Sequence, residues 1–322
     1  MKKILVTGGA GYIGSKFALD LVEKKFQVVV VDNLSTGNKK LVPKQCKFFN
    51  IDILDENRLK KIFQKYKFDA VFHFAASLSV PESQLKPKKY YLNNVVGTQN
   101  LVKLICAFKI KYLIFSSTCA VYGGKNKGAI NEKSSFLPES NYGITKLASE
   151  VLIKNYAKEF NFKYAILRYF NVVGADKNLK TGQLKSQSLF KNLSKTCLNR
   201  SPKINLFGND FITKDGSAMR DYIDVNDLSD LHYEAYKKLK NKNSFTINCG
   251  YGKPYSVKQI IKNFEIVSKK KVKIIYKKRR PGDVEQIYSN TKFLKETFPK
   301  WKRKYNLIDS IKLALSWEKK IV

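Results

Sequence analysis

Histidine, methionine and tryptophan occur only twice each in these 322 residues, and the five cysteines (Cys46, Cys106, Cys119, Cys197 and Cys249) are odd in number and widely spaced. No C-x-x-C pair occurs and His73 lies far from His232. That excludes a disulfide framework and a zinc site with ordinary ligand spacing, so no metal is expected. Long apolar runs are also missing: none approaches the ~20 residues that span a bilayer, and no membrane association is expected. There is no Pro/Ser linker, internal repeat or low-complexity tract, so any domain boundary is soft. Acidic residues are scarce, 26 against 61 lysines and arginines, for a formal charge of +35. The lysines are spread along the whole chain (Lys2-Lys3, Lys60-Lys61, Lys88-Lys89, Lys237-Lys238) without a helix-turn-helix, zinc or RNP-type pattern. Solvated lysine-rich faces are favoured over a nucleic-acid surface, and no specific nucleic-acid partner is expected. Their field would help collect a small anionic substrate.

What is present is a globular composition, 43% hydrophobic and 13% aromatic, in a chain long enough for two domains. The chain enters a strand at once, so no signal peptide is expected and the cytoplasm is the expected compartment. That first apolar run, Ile4-Leu5-Val6, stops at Gly9-x-Gly11-x-x-Gly14, and a helix with Phe17, Ala18, Leu21 and Val22 on one face follows. The glycines allow a tight turn, close approach of backbone to a pyrophosphate, and close packing of helix on strand. The helix N-terminus offers free N–H groups to the phosphates. The next strand, Val28 to Val31, ends at Asp32, close to where a carboxylate binds a ribose 2′-hydroxyl and repels a 2′-phosphate. NAD rather than NADP is the expected cofactor.

Strand candidates at 3–7, 27–31, 47–49, 70–74, 111–115 and 163–167 alternate with helix candidates near 12–24, 55–66, 88–108 and 142–160. This predicts an α/β fold with a doubly wound parallel (Rossmann) sheet over 1–172. Beyond it, short strands (204–207, 221–223, 245–248, 272–276) and helices near 186–198, 225–238, 256–267 and 309–319 predict a smaller mixed α/β substrate domain over 173–322, with segment exchange allowed at the soft boundary. Ligand-binding residues in such a sheet should follow the strands: Gly8, Asp32, Asp52, Ala75-Ala76 and Ser116 to Thr118.

Tyr142 and Lys146 stand one helical turn apart. The spacing alone carries little, since about three chance matches are expected in this composition and Tyr12/Lys16 and Tyr233/Lys237 share it. Context separates them: only Tyr142 starts a helix shortly after a strand ending Ser116-Ser117-Thr118. A phenol has a reference pKa of about 10. A lysine ammonium and a positive nicotinamide nearby are expected to lower it and make Tyr142 a catalytic base, with Thr118 sharing the proton of a substrate hydroxyl.

With these residues in hand, the chain resembles the extended short-chain dehydrogenase/reductases, and within them the UDP-glucose (UDP-galactose) 4-epimerases. The resemblance runs nearly end to end, through TGGAGYIG (7–14), DNLSTG (32–37), HFAA (73–76), YYLNNVVGT (90–98), SSTCAVYG (116–123), YGITK (142–146), RYFNVVGA (168–175), FGNDF (207–211), TKDG (213–216), RDYIDVNDL (220–228) and RRPGD (279–283). It implies the catalytic set Tyr142, Lys146 and Thr118. It implies NAD contacts from Gly8, Gly11, Tyr12, Ile13, Gly14, Asp32, Asn33, Leu34, Ser35, Thr36, Gly37, Asp52, Ile53, Phe74, Ala75, Ala76, Ser77, Leu78, Asn93 and Phe170, together with the catalytic set. For a UDP-sugar it implies Asn171, Phe207, Arg220, Arg280 and Asp283, beside Thr118 and Tyr142. The implied reaction interconverts UDP-galactose and UDP-glucose through a transient 4-keto sugar, in a homodimer joined by helices near 88–108 and 142–160.

Related dehydratases and decarboxylases need a carboxylate just after the threonine, where this chain has Cys119 and Ala120. Three departures from the epimerase pattern stand out. Leu78 replaces a common lysine, Ser186-Gln187-Ser188 occupies a region where an asparagine meets the diphosphate, and Ile287 falls where bulk limits space at the sugar's C2 group. Isoleucine is intermediate there, so UDP-GlcNAc/UDP-GalNAc stays open as a substrate pair, with plain UDP-hexoses favoured. A sibling extended short-chain dehydrogenase/reductase enzyme acting on another nucleotide-sugar is the other alternative.

Overall fold

Short apolar runs bounded by glycine or aspartate build a seven-stranded sheet. In the computed structural model, which describes residues 1–126, 128–185, 187–280 and 283–322, six strands run through the first half of the chain. They are β1 (Lys3–Thr7), β2 (Gln27–Asp32), β3 (Lys47–Asn50), β4 (Ala70–His73), β5 (Tyr112–Thr118) and β6 (Lys163–Tyr169). With Phe245–Cys249 they lie in the order Phe245–Cys249, β6, β5, β4, β1, β2, β3. β1 pairs in parallel with both β2 and β4, β2 with β3, and β4 with β5. Strand order therefore reverses between β1 and β4, the switch point at which doubly wound sheets bind ligands beyond their carboxyl ends.

Alternation along each strand supplies two apolar layers. Leu5, Val29, Val31 and Val71 belong to one core with Leu59, Ile62 and Phe63 of the Glu56–Lys65 helix, and with Leu101, Ile105 and Ile153. Phe72 faces the other way, its ring 4.3 Å from that of Phe17 in the Tyr12–Glu23 helix and 5.9 Å from Tyr236. The Asn141–Phe160 helix starts where the Ser140 hydroxyl accepts the Gly143 N–H at 3.1 Å and stops at Asn161, whose φ of 54° is left-handed. The helix expected over 88–108 is one helical run in three parts: Pro87–Tyr90, a wide π stretch Tyr91–Val96, and Gly97–Ala107.

Two compact units interleave along the chain: residues 1–121, 138–168 and 229–247 form the first, and 122–137, 169–228 and 248–322 the second. The sequence suggested a soft boundary at 172/173 with segment exchange allowed; the chain crosses at 168/169 and exchanges 122–137 and 229–247, and Phe245–Cys249 returns to the central sheet beside β6. In the second unit Met219–Asp224 is flanked by Pro254–Ser256 and Gln286–Ile287 and pairs with Asn171–Val173. Lys203–Phe207 pairs separately with Lys273–Lys277. Three of these strands (Asn171–Val173, Pro254–Ser256, Gln286–Ile287) went unread in the sequence, since two or three residues are too few to display an alternation. Phe190, Leu193, Ile260, Phe264 and Ile311 anchor this unit's core.

Candidate active site

The glycine turn after β1 is shaped by what a side chain would strike. Gly8 has φ +72°, and a Cβ there would lie 2.5 Å from the Ala75 nitrogen, against backbone at the end of β4. Gly11 donates its N–H to the Gly8 carbonyl at 3.1 Å and caps the Tyr12–Glu23 helix, placing Tyr12 and Ile13 in its first turn. A Cβ on Gly14 would collide with the Gly8 carbonyl oxygen. Asp32 is buried at the end of β2 and clamps this loop: its two carboxylate oxygens accept the N–H groups of Ala10 (2.9 Å) and Leu34 (2.8 Å). Burial pushes the Asp32 carboxyl up, and those two N–H donors oppose the rise. Asn33 donates to Asp52 at 2.7 Å and accepts from the Ser35 N–H at 3.0 Å, which fixes the loop carrying Leu34, Ser35, Thr36 and Gly37. Gly37 packs so closely on Ala10 that a Cβ would lie 3.0 Å from it, and Ile53 packs under Gly97.

Beyond β4, Phe74 to Leu78 are held by an asparagine that the sequence reading missed. Asn94, buried in the π stretch, accepts the Ser77 N–H (2.8 Å) and the Asn93 amide (3.0 Å), and donates to the Ser77 carbonyl (3.0 Å) and to Thr145 (3.1 Å). It thus ties the segment after β4 to the helix that carries Tyr142. Leu78, by contrast, is 64% exposed. His73 lies between two threonines. Thr98 donates to the Asn94 carbonyl (2.5 Å), so it accepts the His73 Nε2–H (3.0 Å), and His73 Nδ1 accepts from the Thr7 hydroxyl (2.7 Å). Burial, helped by the charge of Lys146, lowers the His73 pKa to about 3, so it stays neutral.

The catalytic candidates meet at the end of β5. Tyr142 is half-buried in the first turn of its helix, where the Thr118 hydroxyl hydrogen-bonds the phenol. Lys146 is buried, donates to the Ser116 carbonyl at 2.6 Å, and lies 4.6 Å from the Phe115 ring centre. Gly143 allows the approach to β5, since a Cβ there would be 2.6 Å from the Ala120 oxygen. Among the protein's own groups, burial pushes Tyr142 up to about 12 against the Thr118 hydrogen bond and pulls Lys146 down to about 7; the nicotinamide charge expected beside the phenol is a further contribution of opposite sign. Desolvation penalises phenolate and ammonium alike, so each neutral form gains.

In the second unit the UDP candidates form two groups. The Arg280 guanidinium pairs with Asp283 at 2.9 Å and stacks 4.8 Å over the Phe207 ring, a charged and aromatic platform. The Arg220 guanidinium donates to the carbonyls of Met219 (2.8 Å) and Val284 (2.6 Å), which fixes the segment ahead of Ile287. Asn171 is exposed beside Tyr222, while Phe170 is buried and donates its N–H to the Cys249 carbonyl at 3.2 Å. Ser188 caps the Leu189–Leu198 helix and donates to Gln183 at 2.8 Å; Ser186, Pro281 and Gly282 lie outside the described residues. Ile287 is buried and in register with Arg220.

The model of the NAD dependent epimerase/dehydratase family matches residues 4–250. The chain belongs to that family. This epimerase/dehydratase family member is 37% identical over 99% of its length, and 92% of the relative's, to the UDP-glucose 4-epimerase of Azospirillum brasilense. It is 38% identical over 98% of its length to a putative UDP-arabinose 4-epimerase of Arabidopsis thaliana, covering 79% of that protein. The structure of UDP-glucose 4-epimerase from Brucella ovis in complex with NAD superposes with a TM-score of 0.93 at 35% identity, over 98% of both chains.

NAD is the cofactor, and the residues present fit it. The turn at Gly8, Gly11 and Gly14 has no side chain where a phosphate must approach backbone, and Asp32 sits where the adenosine ribose is read. Substituting Gly8→Ala is expected to lower the melting temperature and abolish NAD retention. The alanine must hold a left-handed φ, costing about 1–2 kcal/mol, and must also displace the Ala75 backbone; thermal unfolding and the absorbance of bound dinucleotide read both effects.

Proposed function

We propose that this protein is a UDP-hexose 4-epimerase interconverting UDP-galactose and UDP-glucose. The observation that carries the reading is the convergence of Tyr142, Thr118 and Lys146 at the end of β5 in the unit that also holds the glycine turn. When bound, NAD supplies the acceptor for hydride from C4 of the hexose and the donor that returns it. Tyr142 takes the proton of the C4 hydroxyl and later gives it back, and Thr118 orients that hydroxyl. Lys146 stabilises the phenolate whenever it carries its own proton. UDP recognition is assigned to Asn171, Phe207, Arg220, Arg280 and Asp283, with charge-assisted bonds from the arginines to the diphosphate. Gripped through UDP alone, the 4-keto sugar is free to turn and present its other face.

Purified protein incubated with UDP-galactose and no added cofactor is expected to yield UDP-glucose on ion-pairing chromatography. No conversion even after NAD is added would overturn the reading. The similarity to UDP-arabinose epimerases favours a second reading, in which a UDP-pentose is the better substrate; a higher kcat/KM for UDP-arabinose than for UDP-galactose would establish it. UDP-N-acetylgalactosamine in the same assay reads out Ile287, with conversion meaning that the C2 pocket is open. The reading includes a cytoplasmic homodimer serving galactose and carbohydrate metabolism. Five free cysteines suit a reducing compartment. Exposed apolar side chains at Leu92, Val96, Val151 and Phe160 suit a helical interface, which light scattering would test as a doubled mass.

A further inference from the structure

Three consecutive residues at the end of β5 each engage one residue of a single helix row. The Ser116 carbonyl holds Lys146, the Ser117 hydroxyl donates to Glu150 at 2.5 Å, and the Thr118 hydroxyl bonds Tyr142. Positions 142, 146 and 150 are spaced by four and share one face of the helix. Glu150 is the member that the proposed chemistry leaves unused. Its side chain is fully buried, and Arg168 on β6 grips both of its oxygens, Nε to one at 2.9 Å and a terminal nitrogen to the other at 2.6 Å. A carboxylate so placed is fixed in position.

From this geometry we infer that Glu150, held by Arg168 and Ser117, is a positioning residue that raises the proton affinity of Lys146 beside Tyr142. The inference rests on the epimerase reading for its purpose, though not for its test. Burial favours the neutral amine of Lys146, and Glu150 is the group that opposes it. Several other charged or titratable groups lie around this row among the described residues. Lys154 lies 3.8 Å from Glu150 on the same helix, Arg168 lies on β6 and His73 on β4, Tyr164 feels the Glu150 charge from β6, and Cys119 follows Thr118. His73 is neutral, and Glu150 is the carboxylate among these groups. A carboxylate one further turn along the helix thus opposes the loss of the cation on which the tyrosine depends.

The test is the proton affinity of Lys146 in protein carrying 13C at lysine Cε, titrated with and without NAD, its resonance assigned with Lys146→Arg. Glu150→Gln alone leaves Arg168 unpaired and risks misfolding. The double variant Glu150→Gln/Arg168→Met removes both charges and keeps similar volumes. Its Lys146 midpoint is expected about one pH unit or more below that of Arg168→Met, from which it differs only in the Glu150 charge, with kcat falling at neutral pH as the ammonium is lost. Glu150→Asp, which keeps the charge, is expected to hold the midpoint within half of the shift seen in the double variant. A folded double variant with a midpoint unmoved from that of Arg168→Met overturns the inference and leaves Glu150 a structural ion-pair partner. Failure of the wild type to convert UDP-galactose would instead count against the epimerase reading, so the two failures are separable.

Discussion

Tyr142→Phe is expected to lower kcat for UDP-galactose by about 10²–10⁴-fold, the range for loss of a positioned acid–base group, while NAD stays bound and KM changes little. The substitution removes one oxygen. The start of the helix stays intact, because the Ser140 cap and the approach of Gly143 to Ala120 do not involve the phenol. UDP is assigned to residues of the other unit, so its contribution to KM is untouched. Steady-state kinetics with absorbance of the retained dinucleotide check both parts; a kcat within tenfold of the wild type would remove Tyr142 from the reaction. The pH dependence has a definite sign. The productive pair is Lys146 ammonium with Tyr142 phenolate, yet burial leaves the phenol protonated to about 12 despite the Thr118 hydrogen bond, and the lysine half neutral at about 7 despite Glu150. Whatever raises the Lys146 pKa or lowers that of Tyr142 widens the active range, and the two will titrate as a coupled pair.

The largest expected effect on stability is that of Arg168→Met. Arg168 and Glu150 are both buried at 1% or less exposure, and removing the arginine strands a carboxylate whose remaining short bond comes from Ser117. Breaking a buried pair from one side costs about 3–5 kcal/mol, read as a fall in the urea midpoint with unchanged slope. Adding Glu150→Gln should recover most of it, because no charge is then left unpaired. Equal stability of wild type and single variant would mean that water reaches the carboxylate.

The parts of this site that were legible in the sequence are those encoded locally. The turn at Gly9-x-Gly11-x-x-Gly14 and the spacing from Tyr142 to Lys146 are fixed by a few neighbouring residues, and the apolar runs of β1, β2 and β4 are continuous because both sheet faces are covered. Asn94 was overlooked in favour of its neighbour Asn93, since nothing in a pair of asparagines says which one is buried. Its partners lie 17 and 51 residues away. Glu150 and Arg168 look like ordinary charges on a helix and a strand until the sheet brings them together. The desolvation of Tyr142 went unread for a related reason: a sequence displays neighbouring charges, whereas burial depends on the finished fold.

Interleaving of the two units has a consequence during synthesis. The strand Phe245–Cys249, which completes the central sheet beside β6, is made about 76 residues after β6 ends at Tyr169. At roughly 5–20 residues per second the ribosome imposes a wait on the order of 4–15 s. During that wait β6 is an open edge with half of its ladder unpaired, a ready partner for another strand. A nascent chain of this protein should therefore lean on holdase chaperones most heavily between the emergence of β6 and that of its last neighbour.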